Sequence, residues 1–355
     1  MTIIIAIISL VLLVTFHELG HFLFAKKFGV RVDEFGIGYP PRLFGKKIGG
    51  TIYSLNLLPL GGFVKIYGHE ERIEEADSFT TKPFYQKSII ILAGVAVFWV
   101  IAAILLTAVM LVGAPSLIQD NETTGFVDAK VQIISVANNS PASEAGLKAG
   151  DVLKSINGIN VDKVSEVQEF SKDYQGKEMI LGIQRGQKIL SLTIVPRVDV
   201  PSGEGPIGVS LLRTALKKTV WYKAPIDGIL ATGTLTKAVV MGWVTTIKSL
   251  FQEGGVPEGV EIKGPIGIFE LFNDVGGLGV SYFLQLVALI AISLALINVL
   301  PIPALDGGWF LFLVIEKIKG KPLNQKIIQN ISVFFFLLLI ALLIWITIKD
   351  IIGLF

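Results

Sequence analysis

Apolar residues crowd into four stretches of this 355-residue chain, at about 3–25, 88–113, 278–300 and 331–348. Each approaches the ~20 residues that a helix needs to cross a bilayer. The last is the shortest, but its run from Ser332 through Phe334, Phe335 and Phe336 to Ile340 is strongly apolar. Between the first two stretches the texture changes. Val30 to Phe35, Thr51 to Leu57 and Gly62 to Gly68 read as short strands broken by Gly/Pro turns such as Gly36-Ile37-Gly38-Tyr39-Pro40-Pro41. The tract from Leu57 to Phe63 is too apolar for a free surface loop. It predicts a β-hairpin over about 36–68 that either dips into the membrane or packs on its cytoplasmic face.

The second gap has the alternation of a water-exposed αβ domain over 126–198. A strand at 131–136 is followed by a turn and short helix, then a strand and the Asn157-Gly158 hairpin. A helix at about 163–173 and two strands complete it. The string running Ser140-Pro141-Ala142, Ala145-Gly146-Leu147, Gly150-Asp151-Val152-Leu153 and Ile156-Asn157-Gly158 resembles a PDZ domain. Such domains capture peptide termini by strand addition; a role as spacer or size filter is the other reading. From 199 to 277 the apolar residues are interrupted by Lys217, Lys218, Lys223, Asp227 and Lys237. This predicts a helical linker on the membrane surface, with Trp221 and Trp243 at the interface.

The expected fold is therefore a polytopic α-helical membrane protein of about four spans, with a membrane-associated hairpin and one extracytoplasmic PDZ (α+β) domain. Residues 1–113 carry two spans and the hairpin, 126–198 the PDZ domain, 199–277 the linker and 278–355 two more spans. Composition agrees: 52 % of residues are hydrophobic and 17 % charged. The net charge of +2 and the lack of a basic-aromatic stripe argue against a nucleic-acid partner. The first apolar run has no basic residues ahead of it and no small-residue cleavage site, and reads as a retained span.

Basic residues cluster in the 26–87 connection, from Lys26 and Lys27 to Lys82 and Lys87, and again at Lys317, Lys319, Lys321 and Lys326. The positive-inside rule puts both clusters in the cytoplasm and residues 114–277 outside. The expected location is a multi-pass membrane protein, with its reactive centre near the cytoplasmic side.

Chemistry enters through His17-Glu18-Leu19-Gly20-His21 inside the first span. Ionisable groups at that depth cost about 2.5–3.5 kcal/mol each and are functional hypotheses by default. His17 and His21 are four residues apart and share one helix face, the spacing of a zinc-binding pair with Glu18 as general base. The chain has no cysteine and only three histidines, so any metal site must use His and carboxylate. Asp306, after the third span, is the candidate third ligand. The crossing count returns it to the side of His17 and His21, and Pro301 and Pro303 break the helix before it; the competing reading is an exposed helix-terminating Asp. A metal held there activates water and polarises a peptide carbonyl, with Glu18 moving the proton. Asn298 either donates to substrate or packs as a helix amide. His69, beside Glu70 and Glu71, reads as part of a solvated polar face.

These motifs occur in an order that resembles the site-2 protease family of intramembrane zinc metalloproteases. They are HELGH, Leu58-Pro59-Leu60-Gly61-Gly62-Phe63-Val64-Lys65, the PDZ string, Lys263-Gly264-Pro265-Ile266-Gly267-Ile268 and the Asn298, Pro301, Pro303, Leu305-Asp306-Gly307 motif. The match is to the PDZ-bearing bacterial branch typified by the regulator-of-sigma-E protease, which implies a place in the bacterial inner membrane. The resemblance implies Zn2+ held by His17, His21 and Asp306, Glu18 as catalytic base, and Asn298, Pro301 and Pro303 in substrate binding. It also implies cleavage of single-span membrane proteins within their spans, such as anti-sigma factors or signal-peptide remnants. Two departures stand out: one PDZ domain where the best-known members have two, and Trp309 after Asp306-Gly307-Gly308. A non-proteolytic membrane PDZ adaptor and a metal or proton transporter are the competing classes. The complete set of metal and base residues argues against the first, and the lack of repeat symmetry against the second.

Overall fold

The computed structural model describes residues 2–122, 124–186, 188–201, 203–250, 264–276 and 279–353. The chain opens with α1 (Thr2–Lys27), β1 (Val32–Ile48), β2 (Thr51–Ile66), a short 3-10 turn at Phe79–Thr81 and α2 (Phe84–Val112). Next come β3 (Ala114–Leu117), β4 (Val127–Val136), α3 (Pro141–Glu144), β5 (Val152–Ile156), β6 (Ile159–Asn160), α4 (Val164–Asp173), β7 (Met179–Arg185), β8 (Lys188–Ile194) and β9 (Val209–Lys217). Five helices close the chain: α5 (Ala224–Leu250), α6 (Pro265–Gly276), α7 (Val280–Val299), α8 (Asp306–Lys319) and α9 (Gln325–Gly353). Two compact units result. One takes Met1–Leu106, Ile229–Phe269 and Val287–Phe355; the other takes Thr107–Gly228 and Glu270–Leu286.

In α1, α2, α7 and α9 the described residues contain four helices long and apolar enough to cross a membrane. Several of their hydroxyls are satisfied within the helix: Ser9 donates to the Ile5 carbonyl at 2.8 Å, Thr15 to that of Val11 at 2.7 Å and Ser293 to that of Leu289 at 2.9 Å. In hydrocarbon an unpaired hydroxyl costs several kcal/mol, so this local bonding is what lets Ser and Thr sit there. The fourth such helix begins earlier than its apolar run, at Gln325, because the polar residues before Ile331 continue the same helix.

The hairpin spans Val32–Ile66 and turns at Gly49-Gly50. The short, separate strands expected there are instead two long strands that bend back on themselves. Glu34 to Ile37 pair on one side with Ile52 to Leu55 and on the other with Gly62 to Lys65, while Arg42 to Ile48 pair with Thr51 to Asn56. Two strands in sequence thus make a four-ply ribbon, in which 62–65 is an outer ply. Gly61 and Gly62 let that ply approach α1: a Cβ at Gly61 would stand 2.9 Å from Val14, and one at Gly62 would stand 3.4 Å from the Thr15 Cα.

The second unit holds a seven-stranded antiparallel sheet in the order β3-β9-β4-β5-β7-β8, with β6 beside β5. Its core is built from alternating inward residues such as Val131 and Ile133 or Leu181 and Ile183, from Leu153 and Ile156 on either side of a register shift in β5, and from Val167 of α4. The Gly150-Asp151 turn has a physical reason. The buried Asp151 carboxylate takes Nε and Nη2 of Arg185, each at 2.7 Å, and the Lys148 amide at 2.9 Å. The helical linker expected from 199 onward is corrected here. Val209–Lys217 is a strand set between β3 and β4, and only beyond Ala224 does the chain become helical. Its alternation was masked by Lys217 and Lys218. Residues 251–263, including Lys263 of the motif above, lie outside the described residues.

Candidate active site

α1 carries His17 and His21 one turn apart, both 7 % exposed, with their Nε2 atoms 3.2 Å from each other. Asp306, the first residue of α8, brings its Oδ2 to 3.3 Å from Nε2 of His17 and 3.4 Å from Nε2 of His21. Donors set tetrahedrally at zinc's usual ~2.0–2.1 Å stand roughly 3.3–3.4 Å apart, so this triangle has the size of one face of a zinc tetrahedron. Asp306 Oδ2 is buried without a hydrogen-bond donor of its own, as a carboxylate oxygen reserved for a cation would be.

The orientation of the donors is also built in. His21 Nδ1 lies 2.8 Å from the Ile90 carbonyl. Since a carbonyl only accepts, Nδ1 carries the proton and Nε2 keeps its lone pair toward Asp306. The His17 ring stacks on Phe98, with centroids 4.6 Å apart and planes at 21°. Two glycines make the room. A Cβ at Gly94 would fall 2.2 Å from His21 Nε2 and 2.7 Å from His17 Cε1; one at Gly20 would fall 2.7 Å from the Ala93 carbonyl oxygen. So Gly20 lets α1 close on α2, and Gly94 leaves the hollow that both imidazoles fill.

Asp306 is delivered by a break in the chain. α7 stops at Val299 and α8 starts at Asp306, with turns closed by Ile302 N–H to the Leu300 carbonyl at 2.7 Å and Leu305 N–H to the Ile302 carbonyl at 2.8 Å. Prolines at 301 and 303 remove the amides that would continue α7. Gly307 and Gly308 make the reversal possible, since a Cβ on either would stand 2.2 Å from a backbone oxygen, that of Val299 or Ile302.

Glu18 faces a cavity of about 230 Å³. His21, Asp306, Tyr39, His69 and Trp309 line it as well, and so do Gly62, Phe63 and Val64 of the outer hairpin ply. The Val64 amide addresses the Glu18 carboxylate. The Glu18 and Asp306 carboxylates, two imidazoles and a strand edge thus meet in one small space. Asn298, Pro301 and Pro303 are not among its lining residues. Asn298 Nδ2 donates to the Leu294 carbonyl of its own helix at 2.9 Å, and Pro303 is buried.

His69 corrects the solvated-face reading. Its ring packs 4.3 Å from Trp309 and 5.0 Å from Phe79, with Nε2 enclosed and unpartnered. Burial first, and the nearby His21 second, hold its pKa below the usual imidazole range, so it is neutral. Its place was not legible because Trp309 is remote in sequence. Gly94 was overlooked too, although a glycine inside an apolar helix is itself a signal of close approach.

The sequence pattern of Peptidase family M50 matches residues 5–342. The chain belongs to this family, the site-2 proteases. A protein of Clostridium perfringens (strain 13 / Type A), named as a candidate zinc metalloprotease, is 32 % identical over 352 residues, covering 99 % of each chain. A similarly named protein of Fusobacterium nucleatum is 29 % identical over 371 residues and covers 100 % of both. The regulator of sigma-W protease RasP of Bacillus subtilis (strain 168) is 28 % identical over 429 residues, 97 % of each. Membership makes this chain a zinc metalloprotease with Zn2+ as cofactor, and with its four apolar helices an integral membrane protein. The adaptor and transporter readings fall away.

Proposed function

We propose that the chain hydrolyses peptide bonds within or near the spans of single-span membrane proteins, with His17, His21 and Asp306 holding the zinc ion and Glu18 as general base. One observation carries the assignment: three donor atoms from opposite ends of the chain lie within 4.8 Å of one another in a buried setting. When bound, zinc supplies Lewis acidity toward the scissile carbonyl and lowers the pKa of water. Glu18, facing the same cavity, takes the proton from the attacking water and returns it to the leaving amine. His21 is held by Ile90 in the tautomer that ligation needs. The outer ply at Gly62–Val64 offers a strand edge along which an unwound substrate can lie extended beside Glu18. Asn298, Pro301 and Pro303, expected to touch substrate, fit a positioning role better: they end α7 and present Asp306.

Substrates are anchored proteins such as anti-sigma factors or signal-peptide remnants, in keeping with the name of the Bacillus subtilis relative. We assign the hairpin to the membrane, since Leu43, Phe44 and Leu57 are exposed on it. The positive-inside pattern supports an inner-membrane protein with its active site toward the cytoplasm and 114–277 outside. The sheet domain reads as one PDZ domain. A groove of about 420 Å³ lies between α4 and the Gly205–Leu211 segment, where the β3 side leaves the edge of β9 uncovered before Arg213. That edge suits the C-terminus of a peptide added as a strand.

Two substitutions test the assignment together. Asp306→Ala should lose most of the roughly one zinc per chain, while Glu18→Gln should keep zinc and lose about 10²–10⁴-fold in cleavage of a single-span substrate. Unchanged zinc content in the first variant refutes Asp306 as a ligand; near-normal cleavage in the second refutes Glu18 as the base.

A further inference from the structure

The unit that holds the metal-type cluster has a second cavity, of about 320 Å³, on the far side of a wall it shares with the first. His69 and Trp309 line both. Its floor is apolar and aromatic, including Phe79, Phe84 and Phe312, and its rim carries Arg72, Lys87, Lys317 and Lys321. The position is informative. Phe84 and Lys87 are in the first turn of α2, Lys317 is in the last turn of α8, and Ile328 is near the start of α9. Two candidate spans begin there, so the cavity lies at a membrane–water boundary. By the positive-inside pattern that boundary is the cytoplasmic one.

The rim carries more positive than negative charge. Arg72 is paired with Glu74, but Lys87, Lys317 and Lys321 form no ion pair among the described residues. Glu316 is the one acidic side chain in the lining; its charge acts on Lys87 while its Oε1 accepts from the Leu323 amide at 2.9 Å, so the lining stays net positive. The ammonium groups lean over the floor: Lys317 Nζ is 4.2 Å from the Phe84 ring centre and Lys87 Nζ 5.8 Å from that of Phe79. A net positive rim above an aromatic floor calls for a ligand with an anionic head and a hydrocarbon body. A peptide carboxylate brings with it a backbone whose polar groups the floor leaves unsatisfied. A free phosphate satisfies the rim and leaves the floor bare.

We propose that this cavity binds the phosphate headgroup of an anionic phospholipid from the cytoplasmic leaflet, with its acyl chains running down the aromatic floor. Basic pockets between membrane helices on that face are suited to such headgroups. The shared His69–Trp309 wall then puts bound lipid one side chain away from the catalytic cavity.

The test uses the full chain in neutral detergent, titrated with phosphatidylglycerol or phosphatidylcholine and read by native mass spectrometry. Phosphatidylglycerol should bind at least tenfold more tightly. Each neutralised lysine should cost about fivefold, from the ~1 kcal/mol that a basic residue contributes near anionic lipid. A Lys317→Gln/Lys321→Gln double variant should therefore lose roughly 25-fold, while Lys317→Arg/Lys321→Arg keeps binding and Lys46→Gln/Lys47→Gln, on the hairpin, changes nothing. Equal affinity for the two lipids, or equal loss in the hairpin pair, overturns the site. Competition by millimolar inorganic phosphate alone makes it a phosphate site and overturns the lipid. A hydrophobic peptide with a free carboxylate that outcompetes phosphatidylglycerol makes it a product site, with the same consequence.

Discussion

At the scale of single residues, the cluster depends on what is missing at Gly94 as much as on what is present at His17 and His21. The His21 ring cannot retreat freely, because Nδ1 is tied to Ile90 on the same helix that carries Gly94. A methyl group placed 2.2 Å from Nε2 must therefore push the imidazole off its line to Asp306. Gly94→Ala should lower zinc occupancy at least tenfold while leaving the helical circular dichroism of the membrane-extracted protein intact, since alanine is the better helix former. Full zinc retention in that variant would show that the hollow is not needed. Gly307 and Gly308 act by the same logic, sparing space for backbone rather than for a ring.

At the scale of elements, the hairpin is the part whose form changes the chemistry. Tyr53 lies on an inner ply, paired with Phe35 on one side and Lys46 on the other, whereas Val64 lies on the outer ply with Phe35 as its one partner. Proline at the two positions should therefore act differently. Val64→Pro removes an edge amide beside Glu18, and cleavage of a Gly-containing span should slow by about tenfold or more with zinc unchanged. Tyr53→Pro removes an amide from the interior of the ribbon and should destabilise the hairpin as a whole, seen as faster proteolysis of 32–66. Equal behaviour of the two in both assays would mean that the outer ply has no special part in substrate capture.

At the scale of the whole molecule, the orientation in the membrane decides which end of a substrate is released where. The chain has no native thiol, so single cysteines report sidedness cleanly. A cysteine at Ser165 should react with an impermeant maleimide in intact cells, and one at Lys319 only after the membrane is opened. The reverse pattern would invert the positive-inside assignment and move the cationic cavity to the outer leaflet.

Much of this protein is written locally. Hydropathy is a one-dimensional property, so the apolar stretches of the four long helices can be read directly from the chain. The His17–His21 pair depends on nothing beyond helical spacing, and Pro301 and Pro303 announce the break before Asp306 without a neighbour's help. What stayed hidden depends on partners far along the chain. Whether Asp306 meets the two imidazoles is a matter of two helix ends closing, and of glycines whose meaning is the backbone or ring they make way for. The strand character of Val209–Lys217 comes from lying between β3 and β4, and the four-ply ribbon comes from β1 pairing on both edges. His69 looks like one more polar residue until Trp309, remote in sequence, encloses it. Spans, motifs and turns are legible in the chain because helical spacing and chain breaks are local. Tertiary structure alone decided proximity, because closeness between distant residues is set by packing, which no local pattern encodes.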